Sequence, residues 1–276
     1  MKNTVSTFRQ AKGQRKLSML TAYDYTTARI MDGCGVDALL VGDSLGMVML
    51  GHSDTLSVTV DDMVRHCAAV ARAADHALVV GDMPYLSYQV SVAETVRNAG
   101  RLVTEGRVQA VKLEGGADFV PEVRALVRAS IPVMGHLGLT PQSVNALGGY
   151  KVQGKSPAAA QKLLDDARAL QDAGIFALVL ECVPAGLAAR VTAELSIPVI
   201  GIGAGSGCDG QVLVWQDMLG LGERPAPRFV RQFGALGTAM RESVTAYVAA
   251  VQCGEFPSAA QCYPVEDEAG LLERLY

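Results

Sequence analysis

The chain has 276 residues, of which half are apolar and 19% charged, with a formal charge of −4. An average soluble domain carries roughly 25% charged residues, so a chain this long and apolar can bury a large core, which excludes intrinsic disorder. The slightly acidic balance provides no basic field for a polyanion and argues against nucleic acid as a partner.

From the N-terminus, the first sixteen residues carry five basic groups and no acid. Transit peptides share that bias, but no apolar core or small-residue cleavage site follows, so a short helix or arm of the mature fold is expected. A strand-then-helix rhythm then runs along the chain. Strands are predicted over 18–24 and 38–44, a helix over 61–74, and a strand over 77–83. A helix over 92–105, a strand over 110–115, a helix over 120–129 and a strand over 132–139 follow. Next come a helix over 157–173, a strand over 177–183, a helix over 187–195 and strands over 198–204 and 218–222. A closing helix over 225–253 and an acidic tail complete the chain. Most strands are continuous apolar runs, as expected of parallel strands covered on both faces.

Eight such strands alternating with helices fit a single (β/α)8 TIM barrel over residues 1–276, with an open doubly wound sheet as the alternative. No apolar run approaches the ~20 residues of a membrane span. The six cysteines show no CxxC spacing and read as free buried thiols of a reducing cytoplasm. Two βα connections, 45–60 and 140–156, are long enough to act as lids, the second with Gly148, Gly149 and Gly154 as hinges. The apolar Met47-Val48-Met49-Leu50 run fits under a lid or at a subunit contact.

Acids mark the ends of four strands. Asp43, Asp82, Glu114 and Glu181 each follow an apolar run directly, and Ala38-Leu39-Leu40-Val41-Gly42-Asp43 is nearly repeated as Ala77-Leu78-Val79-Val80-Gly81-Asp82. A single such acid could simply cap the next helix or open a turn. Four of them on one barrel rim would repel one another, and a divalent cation is the natural compensation. Oxygen donors without paired His or Cys favour Mg2+ over Zn2+.

Lys112 lies two residues before Glu114, hence on the same strand face, where it can hold a substrate carboxylate or a developing enolate oxygen. His136, inside an apolar strand, suits a substrate pocket better than a metal shell. Cys182 follows Glu181, but strand alternation points it to the opposite face, which argues against a catalytic thiol. Gly201-Ile202-Gly203-Ala204-Gly205-Ser206-Gly207 ends the seventh strand. It suits a phosphate nest or the close approach of a flat ligand, though no helix opens after it as a dinucleotide fold requires.

Several motifs together carry a family resemblance. They are Met19-Leu20-Thr21-Ala22-Tyr23-Asp24, Val41-Gly42-Asp43-Ser44, Gly81-Asp82-Met83-Pro84 and Val111-Lys112-Leu113-Glu114-Gly115-Gly116. Further on come Gly135-His136-Leu137-Gly138-Leu139-Thr140-Pro141-Gln142, Gly149-Tyr150-Lys151-Val152-Gln153-Gly154 and Gly201-Ile202-Gly203-Ala204-Gly205. From about residue 4 to residue 256 the chain resembles the ketopantoate hydroxymethyltransferase family of the phosphoenolpyruvate/pyruvate barrel superfamily. The resemblance implies metal-binding acids at Asp43, Asp82 and Glu114, oxo-acid contacts at Asp43, Ser44, Asp82 and Lys112, and a general base at Glu181.

It further implies a Mg2+-dependent transfer of a hydroxymethyl group from 5,10-methylenetetrahydrofolate to 3-methyl-2-oxobutanoate, the first step towards pantothenate. A cytoplasmic homo-oligomer, a decamer of pentameric rings, is implied as well. A C–C lyase or phosphoenolpyruvate mutase of the same superfamily is the alternative, although neither long loop contains the cysteine a lyase would place there. A non-catalytic oxo-acid-binding barrel would have no use for all five of Asp43, Asp82, Lys112, Glu114 and Glu181.

Overall fold

The computed structural model describes residues 2–222 and 226–275. Eight parallel strands close into a barrel in chain order. They are β1 (Leu17–Thr21), β2 (Ala38–Val41), β3 (Leu78–Asp82), β4 (Ala110–Glu114), β5 (Val133–Gly138), β6 (Ala177–Glu181), β7 (Val199–Ile202) and β8 (Gly210–Leu213). Helix α1 (Val5–Gln10) precedes β1, α2 (Tyr25–Gly33) follows it, and α3 (Leu45–Val48) and α4 (Val60–Ala73) follow β2. Then come α5 (Val92–Thr104) after β3 and α6 (Val120–Arg128) after β4. β5 is followed by α7 (Val144–Leu147) and α8 (Pro157–Ala173), and β6 by α9 (Ala185–Glu194). After β8 lie α10 (Trp215–Met218), α11 (Leu236–Cys253) and α12 (Glu268–Glu273).

The apolar strands bury both faces and form two separate clusters. Inward-pointing Leu40, Leu78, Val80, Met134, Val179 and Ile200 fill the barrel interior, while Leu39, Val79, Val111, Leu113 and Leu178 pack under the helices. Alternation along a strand produces this division. The expected N-terminal helix is α1, and its Phe8 joins the interior cluster, meeting Phe176 edge-to-face at 6.0 Å. Local chemistry sets the helix boundaries: Thr59 and Asp62 form a capping box at α4, Ser156 caps α8 ahead of Pro157, and Gly174 ends α8 at φ +105°.

Three expectations need correction. The eighth strand is Gly210–Leu213, not 218–222, and Met218 belongs to α10. β7 reaches β8 through residues 203–209 with no helix between, so the helical spacing used to place the eighth strand does not apply. Helix α11 begins at Leu236 rather than near 225, and Pro225 itself lies outside the described residues. All six cysteines are free, but only Cys67 and Cys208 are buried; Cys34, Cys253 and Cys262 are exposed because they sit on outer helices and the tail. Among the described residues no helix is long and apolar enough to cross a membrane.

Candidate active site

Parallel register brings the strand-end residues together. Asp82 pairs with Lys112 across β3 and β4, Glu114 with His136 across β4 and β5, and Gly138 with Glu181 across β5 and β6. Asp43 and Ser44 follow β2 directly. All seven expected site residues (Asp43, Ser44, Asp82, Lys112, Glu114, His136 and Glu181) line one cavity of about 840 Å³ at the barrel mouth. Asp43, Asp82, Lys112, Glu114 and His136 are at most 4% exposed. Backbone shape permits this crowding. Gly138 has φ +92°, and a Cβ there would lie 2.2 Å from the Glu181 carbonyl oxygen, so only glycine lets β5 and β6 end side by side.

The cluster is tightly wired. Lys112 Nζ lies 3.0 Å from Asp82 Oδ1 and 4.0 Å from Glu114 Oε1. The Asp43 N–H donates to Asp82 Oδ2 at 3.1 Å. His136 stands between two acids, with Nδ1 3.3 Å from Glu114 Oε1 and Nε2 3.3 Å from Glu181 Oε2. The Tyr23 and Ser44 hydroxyls pair at 2.9 Å.

Protonation follows from this wiring. Burial, then the charges of Asp82 and Glu114, push the Asp43 carboxyl well above its ordinary range. Burial also raises Asp82, although Lys112 opposes it. Burial would raise Glu114 too, but His136, Lys112 and the Gln142 N–H outweigh it and hold it low. Burial lowers and neighbouring acids raise Lys112; the acids prevail, so it stays charged. His136 is pushed up to about 9, because Glu114 and Glu181 overcome burial and the repulsion of Lys112.

Burial and mutual repulsion disfavour the charged forms of Asp43 and Asp82, and a dication between them would favour their ionised forms. Asp82 Oδ1 also lies off the hydrogen-bonding line of its lysine and has no aligned donor among the described residues. The donor set therefore fits Mg2+. Among the described residues no three His, Cys, Asp or Glu side chains are already gathered closely enough to enclose an ion; a hard cation that keeps water and substrate oxygens as ligands does not require that.

Cys182 departs from expectation. It lies past the end of β6 at φ +48°, where strand alternation no longer holds, and lines the same cavity as Glu181. Burial, then Glu181, push its thiol up to about 11, so it is neutral and a poor nucleophile. The Tyr150 hydroxyl donates to Met47 Sδ at 3.8 Å, so the 140–156 connection does touch the apolar Met47 run. Gly148, Gly149 and Gly154 all have left-handed φ.

Sequence reasoning assigned no role to two residues at the centre of the wiring. Gln142 donates through Nε2 to Asp43 Oδ2 at 2.8 Å and to the Met83 carbonyl at 2.9 Å, and through its backbone N–H to Glu114 Oε2 at 3.0 Å. The Tyr88 hydroxyl lies 2.8 Å from Gln142 Oε1 and accepts from the Glu114 N–H at 3.2 Å. Both come from connections rather than strands, and no periodicity marks such positions. For Gln142 the available signal was its place in the Gly135–Gln142 motif.

Comparisons with known proteins identify the family of the chain and match its fold. A family model described as ketopantoate hydroxymethyltransferase matches residues 2–259. The chain is 56% identical to a 3-methyl-2-oxobutanoate hydroxymethyltransferase of Clostridium novyi (strain NT), covering 100% of both chains. It is 55% identical to one of Enterococcus faecalis (strain ATCC 700802 / V583), with the same coverage, and 58% identical to one of Nitratidesulfovibrio vulgaris (strain DP4), over 96% of this chain and 86% of the relative. Solved structures share the fold at lower identity. A 2,3-dimethylmalate lyase of the PEP mutase/isocitrate lyase superfamily matches with a TM-score of 0.60 at 18% identity, covering 99% of each chain. A phosphonopyruvate hydrolase in complex with oxalate and Mg++ matches with a TM-score of 0.60 at 11% identity, covering 98% and 95%.

Proposed function

The chain belongs to the ketopantoate hydroxymethyltransferase family and is a one-carbon transferase, and from that premise we propose the substrates, metal and residue roles of its barrel mouth. The enzyme moves a hydroxymethyl group from 5,10-methylenetetrahydrofolate onto C3 of 3-methyl-2-oxobutanoate. The observation that carries this reading is the meeting of Asp43, Asp82, Lys112, Glu114, His136 and Glu181 in one cavity. Family membership at 50% identity or more, over nearly the whole chain, favours it over a lyase or mutase of the superfamily.

Asp43 and Asp82, with Glu114 beside them, would hold Mg2+. When bound, the metal supplies Lewis-acid polarisation of the oxo acid's oxygens, an effect worth several kcal/mol. Lys112 and Ser44 orient the substrate carboxylate, with His136 in the pocket wall. Glu181, half-buried beyond the acid cluster, takes the proton from C3 as the general base. C3 then bonds to the one-carbon unit of the folate, a water supplies the hydroxyl, and tetrahydrofolate leaves. The His136 ring, 3.3 Å from both Glu114 and Glu181, attracts the base and holds it in place through charge. A positioned base contributes about 10²–10⁴ in rate.

The 140–156 connection, pinned at Gln142 and again where the Gln153 N–H donates to the Cys182 carbonyl at 2.9 Å, shields the reacting carbon from stray water. The protein acts as a homo-oligomer, with a decamer as the family's form. Exposed Met240, Val244, Tyr247, Val248 and Val251 along α11 support assembly, since so apolar a stripe is rarely left in water.

The test is product formation with 5,10-methylenetetrahydrofolate and 3-methyl-2-oxobutanoate, before and after EDTA and again with added Mg2+. Activity lost to EDTA and restored by Mg2+ is expected. Full turnover in EDTA would remove the metal from the reading, and no folate-dependent product under any condition would remove the donor.

A further inference from the structure

The cavity holds more than a small oxo acid and a metal ion need. Its volume of about 840 Å³ is that of a site for a drug-sized ligand, and the acid cluster lines only the side under β2 to β6. The opposite side is walled by the turn after β8 and by the connection that follows α3. Gln216, 4% exposed, stands there. Its Nε2 donates to the thioether of Met49 at 3.3 Å, a weak acceptor, and its Oε1 has no partner among the described residues. Thr55, 1% exposed, lines the same cavity with Oγ1 equally unpartnered. Asp217, half-buried beside Gln216, makes no side-chain hydrogen bond or ion pair among the described residues, and burial raises its pKa.

A buried polar atom without a partner costs about 1–3 kcal/mol. Two of them and an unengaged carboxylate in one cavity wall therefore call for a ligand that brings N–H groups. The thioether that Gln216 contacts belongs to Met49, an exposed and flexible side chain that a ligand can displace. The wall is also fixed relative to the acid cluster. The Trp215 N–H donates to Thr21 Oγ1 at 3.2 Å at the end of β1, and two residues further on Tyr23 pairs with Ser44.

We infer that this side of the cavity seats the pterin ring of the one-carbon donor, with Gln216 and Asp217 reading the edge that carries its amino group, ring N–H and carbonyl. A carboxylate can accept two parallel N–H groups, as it does from a guanidinium. The Gln216 carboxamide offers an acceptor and a donor in one plane, and a ring carbonyl in place of the thioether gives Nε2 a stronger acceptor. Methionine sulfur and apolar side chains can pack on the ring faces. The inference rests on the folate-dependent reading proposed above and adds to it the place where the donor sits. Guanine bases carry the same edge, so the experiment must separate the two sources.

The experiment uses the full chain and the variants Asp217→Asn and Gln216→Leu. It measures donor and oxo-acid KM, deuterium exchange at C3 of 3-methyl-2-oxobutanoate without folate, and calorimetric binding of tetrahydrofolate and of guanosine. The expected result is a rise in donor KM, and a matching loss of tetrahydrofolate affinity, of about tenfold or more in each variant. C3 exchange and oxo-acid KM should stay within about twofold of the parent, a margin well below 1 kcal/mol, and guanosine should not compete.

Donor KM and tetrahydrofolate affinity unchanged in both variants would overturn the assignment. So would equal losses in C3 exchange, which would mark a structural role, or tighter binding of guanosine than of tetrahydrofolate. Asp217 is half-exposed and tolerates an isosteric amide, so Asp217→Asn carries the test alone if Gln216→Leu does not fold. A parent that exchanges C3 but never transfers from the folate would sink the transferase reading by itself, while tetrahydrofolate binding would still decide the subsite.

Discussion

The side-chain amide of Gln142 donates to the Asp43 carboxylate at 2.8 Å although the two residues are 99 positions apart in the chain. The root of the long connection after β5 is thereby tied to the acid that follows β2. The Gln142→Leu variant removes that donor and one partner of the Tyr88 hydroxyl, and leaves the Asp43 carboxyl buried without its amide. Outer partners of metal ligands typically contribute 10–100-fold to affinity or activity. A loss of Mg2+ affinity of about 10–100-fold is expected by calorimetric titration, with the Gln142→Glu variant failing to rescue it because it adds another buried carboxylate. An unchanged titration would remove Gln142 from this role.

Glu181→Gln should lower deuterium exchange at C3 of the oxo acid by about 10²–10⁴ while oxo-acid binding persists. The readout is proton NMR for exchange and calorimetry for binding. Near-normal exchange would assign the base elsewhere.

Lys112→Met takes a buried cation from the side of Asp82. Removing one partner of a buried ion pair costs about 3–5 kcal/mol, so the melting temperature should fall on the order of 10 °C. Mg2+ should restore part of the loss, since it answers the same charge. Scanning calorimetry with and without Mg2+ checks this, and a variant as stable as the parent would contradict the charge balance described for the site.

Asp32 gives a pH dependence away from the site. It is 3% exposed and accepts the Asp75, His76 and Ala77 N–H groups, the last at 2.7 Å, which fixes the entry to β3. Burial would raise its pKa, but those backbone donors and His76 outweigh burial and lower it. A lowered folded value means stability that is present above the unfolded value of about 3.9 and is lost as pH falls through the folded one. Asp32→Asn should therefore destabilise by about 1–3 kcal/mol at neutral pH. The gap from the parent should narrow as pH falls below about 4, as urea denaturation at both pH values would show.

Val244→Asp combined with Val248→Asp places two charges in the exposed apolar stripe of α11. Light scattering should show the parent as an oligomer and the double variant as a smaller species with its barrel intact by circular dichroism. An unshifted mass would place the subunit contacts on another face.

Much of this molecule was legible in its sequence. Seven strands could be placed because parallel strands buried on both faces leave continuous apolar runs, and four site acids because four of those runs stop at one. β8 was not legible. Gly210–Leu213 contains Gln211, exposed, and follows the glycine-rich turn directly, so it reads as loop. Cys182 was misplaced because strand alternation holds only as far as the strand does. Gln142, Tyr88 and Gln216 escaped for a different reason. Their roles depend on meeting partners far away in the chain, and a polar residue in a connection looks the same whether it faces water or a buried carboxylate.

The long connection after β5 is moored at two posts, Gln142 on the Asp43 side and Gln153 on the Cys182 carbonyl next to Glu181. The residues strung between those posts reach over the mouth without orienting either acid. Access and reactivity are thus governed by different stretches of polypeptide. Natural drift or laboratory selection within 143–152 can retune which acyl chains are admitted and leave the bond-making apparatus as it was, whereas a change at either mooring disturbs both.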